Sequence, residues 1–313
     1  MALKQFNPTS PGQRGLVLIE DFGDQRMREW IDAHPADERG IYAQAIDTLV
    51  ALHRLPLILI PTTAGTGSEV TPISIITMSN KEKKGVSSKV IIPDLAILDS
   101  ILTLDLPSKT TASTGIDAMV HAIEAYTSKS KNNNIISKAL AEKALKLIGD
   151  SIIKAVENGK NDIQARNKML LGSLMAGMSF ANSPVAAIHA LAYPLGGKYK
   201  ITHGLSNALI LPYVIKFNMK DDETRNSYLY LSDIIFPKLS NIKNKKNKSF
   251  AFVNEFIGLS KRFNLPTKIR ELGIPKKACK EMSVEAMRQE RLLINNPINM
   301  TEDDAYKIYE EAW

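Results

Sequence analysis

Two polar side chains lie within an otherwise apolar stretch, GIDAMVHAIEAY, at residues 115–126. Asp117 and His121 are four residues apart, and the apolar residues around them recur at the spacing of one helical face. On a helix, the carboxylate and the imidazole therefore lie one turn apart on the same face. A buried carboxylate is costly unless it is paired or bound to a cation. Either an Asp–His hydrogen bond in the core or a divalent metal ion would satisfy both groups.

Two more histidines lie in apolar surroundings further along the chain. His189 is in PVAAIHALAYPLGG, where Pro184 is suited to open a helix and Gly196 and Gly197 to close it. His203 is in YKITHGLSNALILPYV, at a predicted junction between a loop and a helix. Each of them alone is compatible with a core or capping histidine.

Taken together, these four residues form a candidate metal site. Asp117, His121, His189 and His203 offer one carboxylate and three imidazoles. That set suits a divalent first-row metal such as iron or zinc, with a position left for an outside oxygen ligand.

The elements that position these residues change in character near residue 106. Three β-rich runs bounded by turn formers come first: PLILIPTT at 56–63, TPISIITM at 71–78 and SKVIIPDLAILD at 88–99. Helical patterns follow from Pro107 to the end of the chain. The sequence therefore predicts an α/β part followed by an all-helical part.

Composition excludes several classes of protein. The net charge is +7, but the lysine-rich runs KEKKG (81–85) and NIKNKKNKS (241–249) lack interleaved aromatics, so we expect solvated loops and no nucleic-acid partner. The single cysteine, Cys279, rules out an intramolecular disulfide and a Cys-rich zinc site. The sequence has neither a signal-peptide core nor a run of roughly twenty apolar residues, so we expect a cytoplasmic protein with no membrane partner.

Several motifs resemble those of the iron-dependent (group III) alcohol dehydrogenases. They are GIDAMVHAIEAY, HALAYPLGG, THGLSNALILPYVIKFN, PTTAGTGSEVTPISIIT (61–77), PDLAILDSILTLDLP (93–107) and the closing INNPINMTEDDAYKIYEEAW. The resemblance covers about residues 55–313. It implies a dehydroquinate synthase-like fold, with a partial α/β cofactor-binding domain at 1–106 whose first 54 residues are atypical. An all-α metal-binding catalytic domain would follow at 107–313.

The resemblance also implies an activity and its cofactors. Fe²⁺ (or Zn²⁺) would be bound by Asp117, His121, His189 and His203, and a hydride would pass between an alcohol and NAD or NADP. The substrate would be a small alcohol, aldehyde or ketone, and the protein a homodimer or higher oligomer. By the same resemblance, the following residues would bind the cofactor: Thr62, Thr63, Gly65, Thr66, Gly67, Ser68, Lys84, Leu102 and Thr103.

The sequence departs from the family pattern in two places. The family's second histidine, four residues after the third metal ligand, is here Tyr193, which becomes the catalytic candidate for moving a proton but titrates near pH 10 instead of about 6.5. The G-G-G-S turn that binds pyrophosphate has no counterpart in residues 1–60. Two hypotheses follow: an active dehydrogenase, and a non-catalytic truncated remnant that keeps the metal-binding helices.

Overall fold

The computed structural model describes residues 56–77 and 83–313. The first 54 residues, which are atypical of the family and contain His34 and His53, lie outside this described part. The elements below are numbered in the order in which they occur within it.

Four short strands make up the described front of the chain. They are β1 (Ile58–Leu59), β2 (Ile73–Thr77), β3 (Lys83–Ser87) and β4 (Leu95–Ala96). β1 pairs with β4 in parallel, with Ile58 opposite Leu95, and β2 pairs with β3 antiparallel, with Ile73 opposite Ser87. Single 3₁₀ turns at Ser68–Val70, Lys89–Ile91 and Ser100–Thr103 connect these strands to each other and to the first helix.

Two sequence predictions fail in this front part. KEKKG was expected to be a loop, but Lys83–Ser87 forms β3, because hydrogen bonds to β2 satisfy its backbone in spite of the lysines' low strand preference. SKVIIPDLAILD was expected to be a strand, but only Leu95–Ala96 pairs. Its first half forms the turn Lys89–Ile91, which the Ser88 hydroxyl caps by accepting from the Val90 amide at 3.2 Å.

Helices account for the rest of the described chain, as the periodicity after Pro107 predicted. In order they are α1 (Ser108–Thr127), α2 (Ile135–Gly149), α3 (Ile152–Asn158), α4 (Ile163–Asn182), α5 (Ala187–Tyr199), α6 (His203–Asn218), α7 (Asp222–Ile235), α8 (Lys245–Arg262), α9 (Ala278–Met287), α10 (Glu290–Leu293) and α11 (Glu302–Ala312). Two further 3₁₀ turns, Pro237–Asn241 and Ile269–Leu272, lie between them.

The core is built around α1. This helix packs against α2, α4 and α6, and Ala118, Val120 and Ile123, which point in different directions around its axis, all have 0% exposed surface. A helix that is apolar on every side is stable only when other helices cover it. No single helix of the described residues is long and apolar enough to cross a bilayer; α4 and α5 meet that requirement only as a pair bent by 107°.

Two helix boundaries, the end of α5 and the start of α8, also differ from prediction. α5 continues through Gly196 and Gly197 and ends at Tyr199, where Lys200 adopts a left-handed conformation with φ 56°. NIKNKKNKS is only partly a loop, because α8 begins at Lys245 inside it. The Asn244 side chain caps that helix by accepting from the Asn247 amide at 3.0 Å.

One buried arginine joins the front part to the helices. Arg166 of α4 is 4% exposed and donates to the Thr111 hydroxyl of α1 at 2.7 Å and to the Leu106 carbonyl, just before α1, at 3.2 Å. It also donates to the Gly159 carbonyl at 3.3 Å. These bonds satisfy the guanidinium and hold the segment that leads from Ser100–Thr103 into α1.

Candidate metal centre

Four predicted ligands converge at the junction of three helices. Asp117 and His121 come from α1, His189 from the first turn of α5, and His203 is the first residue of α6. One ligand atom from each residue lies within 4.8 Å of those from the others. The Oδ1 atom of Asp117 lies 3.9 Å from Nε2 of His189 and 3.7 Å from Nε2 of His203. The two sequence-distant histidines thus meet the helical Asp–His pair, as predicted.

The cluster is closed on three sides and open on one. Asp117, His121 and His189 are 2%, 5% and 3% exposed, whereas the side chain of His203 is 33% exposed. A small molecule can therefore approach the cluster from the side of His203.

Contacts behind the rings orient two of the imidazoles. Nδ1 of His121 lies 3.2 Å from the Gly65 carbonyl oxygen, and its ring stacks on Phe180 with centroids 4.5 Å apart. Nδ1 of His189 lies 2.6 Å from Oε2 of Glu124. Because a carbonyl and a carboxylate accept hydrogen bonds, both contacts place the proton on Nδ1 and leave the Nε2 lone pair free for a cation.

Asn207 marks the centre of the cluster. Its Nδ2 donates to Oδ1 of Asp117 at 2.6 Å and lies 3.2 Å and 3.3 Å from Nε2 of His189 and His203. Its Oδ1 is buried and has no hydrogen-bond partner among the described residues. Asp117, His189 and His203 therefore all direct a lone pair toward the same point, where the Nδ2 group of Asn207 lies.

The donor set fits a divalent metal ion. Neutral imidazole nitrogens and a carboxylate are ligands of iron and zinc, and four donors around one ion at bonds of about 2.1 Å are roughly 3.4 Å apart. Two of the observed separations, 3.7 and 3.9 Å, exceed this by about 0.3 to 0.5 Å, and all four ligand atoms lie within 4.8 Å of one another.

Electrostatics keep the ligands in their binding forms. Burial opposes ionisation of Asp117, but the surrounding imidazoles and the Asn207 hydrogen bond outweigh it and hold the pKa of this carboxyl below its usual range. Burial lowers the pKa of His121 and lowers that of His189 strongly, so both rings stay neutral at physiological pH. An ionised carboxylate beside neutral imidazoles is the state that binds a cation.

The predicted cofactor loop, residues 62–68, reaches the metal cluster directly. Gly65 provides the carbonyl that contacts His121, and a Cβ at this position would lie 2.7 Å from Cβ of Thr114 on α1. Gly67 has φ +60° and touches Gly177 of α4. The glycines therefore let the loop lie flat against α1 and α4. Thr66 and Ser68 share a hydrogen bond between their hydroxyls at 3.1 Å, and Thr62 and Thr63 are half-buried.

The remaining predicted cofactor contacts lie outside this loop. Lys84 is on β3. Leu102 is 48% exposed, whereas Thr103 is 1% exposed and donates its hydroxyl to the Ser100 carbonyl at 2.8 Å. Both residues belong to the turn that precedes α1 and that packs on α4. Their contact with a cofactor stays a prediction.

Tyr193, the predicted catalytic residue, lies beside the open side of the cluster. It is one turn after His189 on α5, and its ring centroid is 6.4 Å from that of His203. Burial raises the pKa of its hydroxyl above the usual 10, although nearby Arg291 works in the opposite direction. Tyr193 is therefore a protonated hydrogen-bond donor at neutral pH.

Three residues of the site were not identified from the sequence. Glu124 lies seven residues after Asp117, and Asn207 lies four residues after His203, so helical spacing alone places each on the same face as a ligand. Arg291, whose Nη2 lies 3.3 Å from the Tyr193 hydroxyl, comes from a region of the sequence with no local signal of this kind.

Comparisons with known proteins agree with this geometry. Residues 111–313 match the model of the "Fe-containing alcohol dehydrogenase family, C-terminal". Residues 34–100 match that of "Iron-containing alcohol dehydrogenase", so the family likeness begins about twenty residues before the motifs had indicated.

Individual relatives cover most of this chain. Long-chain-alcohol dehydrogenase 1 of Geobacillus thermodenitrificans is 42% identical over 262 residues, which are 83% of this chain and 64% of that protein. The crystal structure of 1,3-propanediol oxidoreductase superposes with a TM-score of 0.76 at 31% identity, over 82% of this chain and 66% of that one. The crystal structure of sulfoacetaldehyde reductase from Bifidobacterium kashiwanohense in complex with NAD⁺ superposes with a TM-score of 0.71 at 30% identity, over 82% of this chain and 65% of that one.

This chain thus spans just under two thirds of the length of these relatives. The C-terminal family model nevertheless covers the helical part from residue 111 onward, including all four candidate ligands. The chain belongs to the iron-containing alcohol dehydrogenase family.

Proposed function

We propose that this protein is a metal- and NAD(P)-dependent oxidoreductase that interconverts a small alcohol and its aldehyde or ketone. The observation that carries the proposal is the convergence of Asp117, His121, His189 and His203 within 4.8 Å. Family membership and the NAD⁺ complex of a relative support the nicotinamide cofactor. In this proposal residues 1–106 bind the cofactor, and residues 107–313 hold the metal and the substrate.

The four ligands would hold Fe²⁺ or Zn²⁺. The metal, when bound, acts as a Lewis acid that favours the alkoxide form of an alcohol and polarises a carbonyl. The protein contributes the orientation. Glu124 and the Gly65 carbonyl fix the rings of His189 and His121 through Nδ1. Both Nε2 atoms therefore stay free for the metal, and little rotamer freedom is lost on binding.

The cofactor loop and the metal ligands are joined by one hydrogen bond. Because His121 binds the Gly65 carbonyl, a nicotinamide held by residues 62–68 would be kept in register with the substrate oxygen. Tyr193, with a protonated hydroxyl beside His203, would donate a hydrogen bond to the substrate or its bound water. Three nearly buried ligands limit the entry of water to the side of His203.

Location and assembly complete the proposal. We propose a cytoplasmic homodimer or higher oligomer. Within the described residues, the front part leaves apolar side chains exposed, among them Val90 at 42%, Ile92 at 41% and Leu95 at 49%. Exposed apolar groups of this kind are typical of surfaces that the rest of a domain or another chain covers.

Metal content and turnover test this function together. The wild-type protein, loaded with Fe²⁺ or Zn²⁺, is assayed with short primary alcohols and diols over a wide range of NAD and NADP. His189→Ala is expected to lose both the metal, measured by mass spectrometry, and turnover. Leu191→Ala, a fully buried residue on the same helix, is the control for lost packing and is expected to keep its metal.

Two results would count against the proposal. One metal per chain in His189→Ala would show that the ligand assignment is wrong. Folded, metal-loaded wild-type protein without turnover at saturating cofactor would instead favour a non-catalytic remnant that retains the metal-binding helices.

A further inference from the structure

The open side of the metal centre carries a positive charge that the proposed chemistry does not use. Three ligands are buried, and only the His203 side is accessible. Tyr193 stands on that side, and Arg291 donates from Nη2 to the Tyr193 hydroxyl at 3.3 Å. Any substrate that reaches the metal from the His203 side therefore passes near this guanidinium.

The backbone of Arg291 is held firmly in this position. The Asn295 side chain is nearly buried and donates from Nδ2 to the Arg291 carbonyl at 3.0 Å and to the Val185 carbonyl, just before α5, at 3.2 Å. The Asn295 carbonyl in turn accepts from the Lys129 amide at 2.9 Å. These bonds tie the short helix α10 to the start of α5, the helix that carries both His189 and Tyr193.

Within the described residues, the Arg291 guanidinium has N–H donors that bond to no other group. Arg225 and Arg262 each pair with a carboxylate, Asp222 and Glu157 respectively. The salt bridges within residues 56–77 and 83–313 include none to Arg291, whose side-chain hydrogen bond there is the one to Tyr193. Its charge is close enough to lower the pKa of both His189 and Tyr193. A guanidinium has five N–H donors, so a planar anion could still be bound by two of them.

We infer that Arg291 is a specificity-determining residue that binds an anionic group on the substrate. The substrate class is then a short alcohol or aldehyde that carries a carboxylate, or another anion of similar size, at the end away from the reacting carbon. This inference rests on the proposed function and adds the chemical nature of the substrate to it.

Arg291 would distinguish anionic from neutral substrates because its guanidinium binds an anion more strongly than it binds water. Arg291 is exposed, so a neutral substrate leaves its guanidinium hydrated and gains nothing from it. An anion instead replaces part of that water with charge-assisted hydrogen bonds. The anchor would also hold the far end of the molecule, so that the reacting carbon is placed against the metal and the nicotinamide.

The test compares two aldehydes of equal length, butanal and 4-oxobutanoate, in the metal-loaded protein with saturating NADH or NADPH. The wild type is expected to have the higher kcat/KM for 4-oxobutanoate. Arg291→Gln should lower that value by roughly tenfold to a hundredfold, the loss expected for a hydrogen bond to a charged group. The value for butanal should fall by a smaller factor, because butanal loses only the effect of the hydrogen bond from Arg291 to Tyr193. Arg291→Lys, which keeps the charge, should retain part of the preference.

Arg288→Gln is the matched control. It removes the same charge from an exposed position three residues earlier and should leave the preference for 4-oxobutanoate unchanged. Calorimetric titration with 4-hydroxybutanoate and with butan-1-ol gives a readout that does not need turnover. The carboxylate should bind more tightly than the neutral alcohol, and only in proteins that retain a positive charge at position 291.

Several results would overturn the inference. One is an equal loss of kcat/KM for both aldehydes in Arg291→Gln, and another is a loss of the preference for 4-oxobutanoate in Arg288→Gln as large as that in Arg291→Gln. A third is a raised cofactor KM in Arg291→Gln with unchanged substrate preference, which would mean that the guanidinium faces the nucleotide. Absence of turnover with both aldehydes defeats the proposed function but not this inference, which calorimetry then decides. Failure of the wild type to bind 4-hydroxybutanoate more tightly than butan-1-ol overturns it.

Discussion

Replacement of Glu124 by glutamine should weaken metal binding without disturbing the fold. The Glu124 side chain is buried. Its Oε1 accepts from the Ile188 amide at 2.6 Å, and its Oε2 lies 2.6 Å from Nδ1 of His189. A cation needs the lone pair on Nε2 of His189, so the imidazole proton must be on Nδ1, and Glu124 must then accept it as a carboxylate.

The structure sets the size of the effect. Glutamine keeps the shape of Glu124 but has one acceptor oxygen in place of two and no charge, so it cannot serve both the Ile188 amide and His189 as the carboxylate does. The loss of one hydrogen bond to a charged group costs about 1.5–3 kcal/mol, which corresponds to roughly tenfold to a hundredfold in metal affinity. Changes in groups that orient metal-binding histidines typically cost about the same.

The pH dependence supplies a second, sharper readout. Burial raises the pKa of Glu124 from 4.5 to about 7, although backbone amides of the Ala186–His189 segment partly oppose this. Below pH 7 the carboxyl holds a proton that metal binding must displace, and above pH 7 it does not. Wild-type affinity should therefore rise as the pH increases through about 7, and the glutamine variant should lack this contribution.

The assay is a chelator competition that yields the dissociation constant for Zn²⁺ or Co²⁺ at pH values from 6 to 8.5, with the Co²⁺ absorption spectrum recorded alongside. Glu142→Gln is the control. Glu142 lies on α2, which carries none of the four ligands, and accepts a hydrogen bond from the hydroxyl of the exposed Tyr230 at 3.0 Å. If Glu124→Gln binds metal within about threefold of the wild type at pH 8, with an unchanged pH profile, the argument for Glu124 as a positioning residue fails.

Two further predictions concern the loop that links the cofactor site to the helices. Gly67→Ala should destabilise the protein by roughly 1–3 kcal/mol in urea unfolding, since φ is +60° and the new Cβ would lie 2.6 Å from Cα of Gly177. The control is Gly258→Ala, on an open helix face with nothing within 4 Å, which should be neutral or slightly stabilising. Equal effects of the two substitutions would refute backbone strain at Gly67. Burial raises the pKa of Glu69 above 4.5, although its own backbone amide opposes this, so stability is unaffected below the unfolded-state value and is lost as the pH rises through the raised one. Glu69→Gln should thus stabilise the protein at pH 8 but not at pH 4, and a uniform effect at both pH values would contradict that assignment.

The local pattern of the sequence was sufficient for the helices and for half of the metal site. The spacing of apolar residues around Asp117 and His121 predicted a buried helix, and α1 is buried on all sides. His203 was expected at a loop-to-helix junction and is the first residue of α6. These predictions succeed because helical hydrogen bonds and the burial of one face depend on residues three and four positions apart.

Features that depend on distant partners were decided only by the tertiary structure. Lys83–Ser87 became a strand because β2 was available to pair with it, and α5 extended past its two glycines to Tyr199. The bond between Glu124 and His189 joins residues 65 positions apart, and Arg291 reaches Tyr193 across 98 positions. Sequence spacing carries no information about such contacts, because they arise when separate helices pack together and bring buried polar groups to the only partners that can satisfy them.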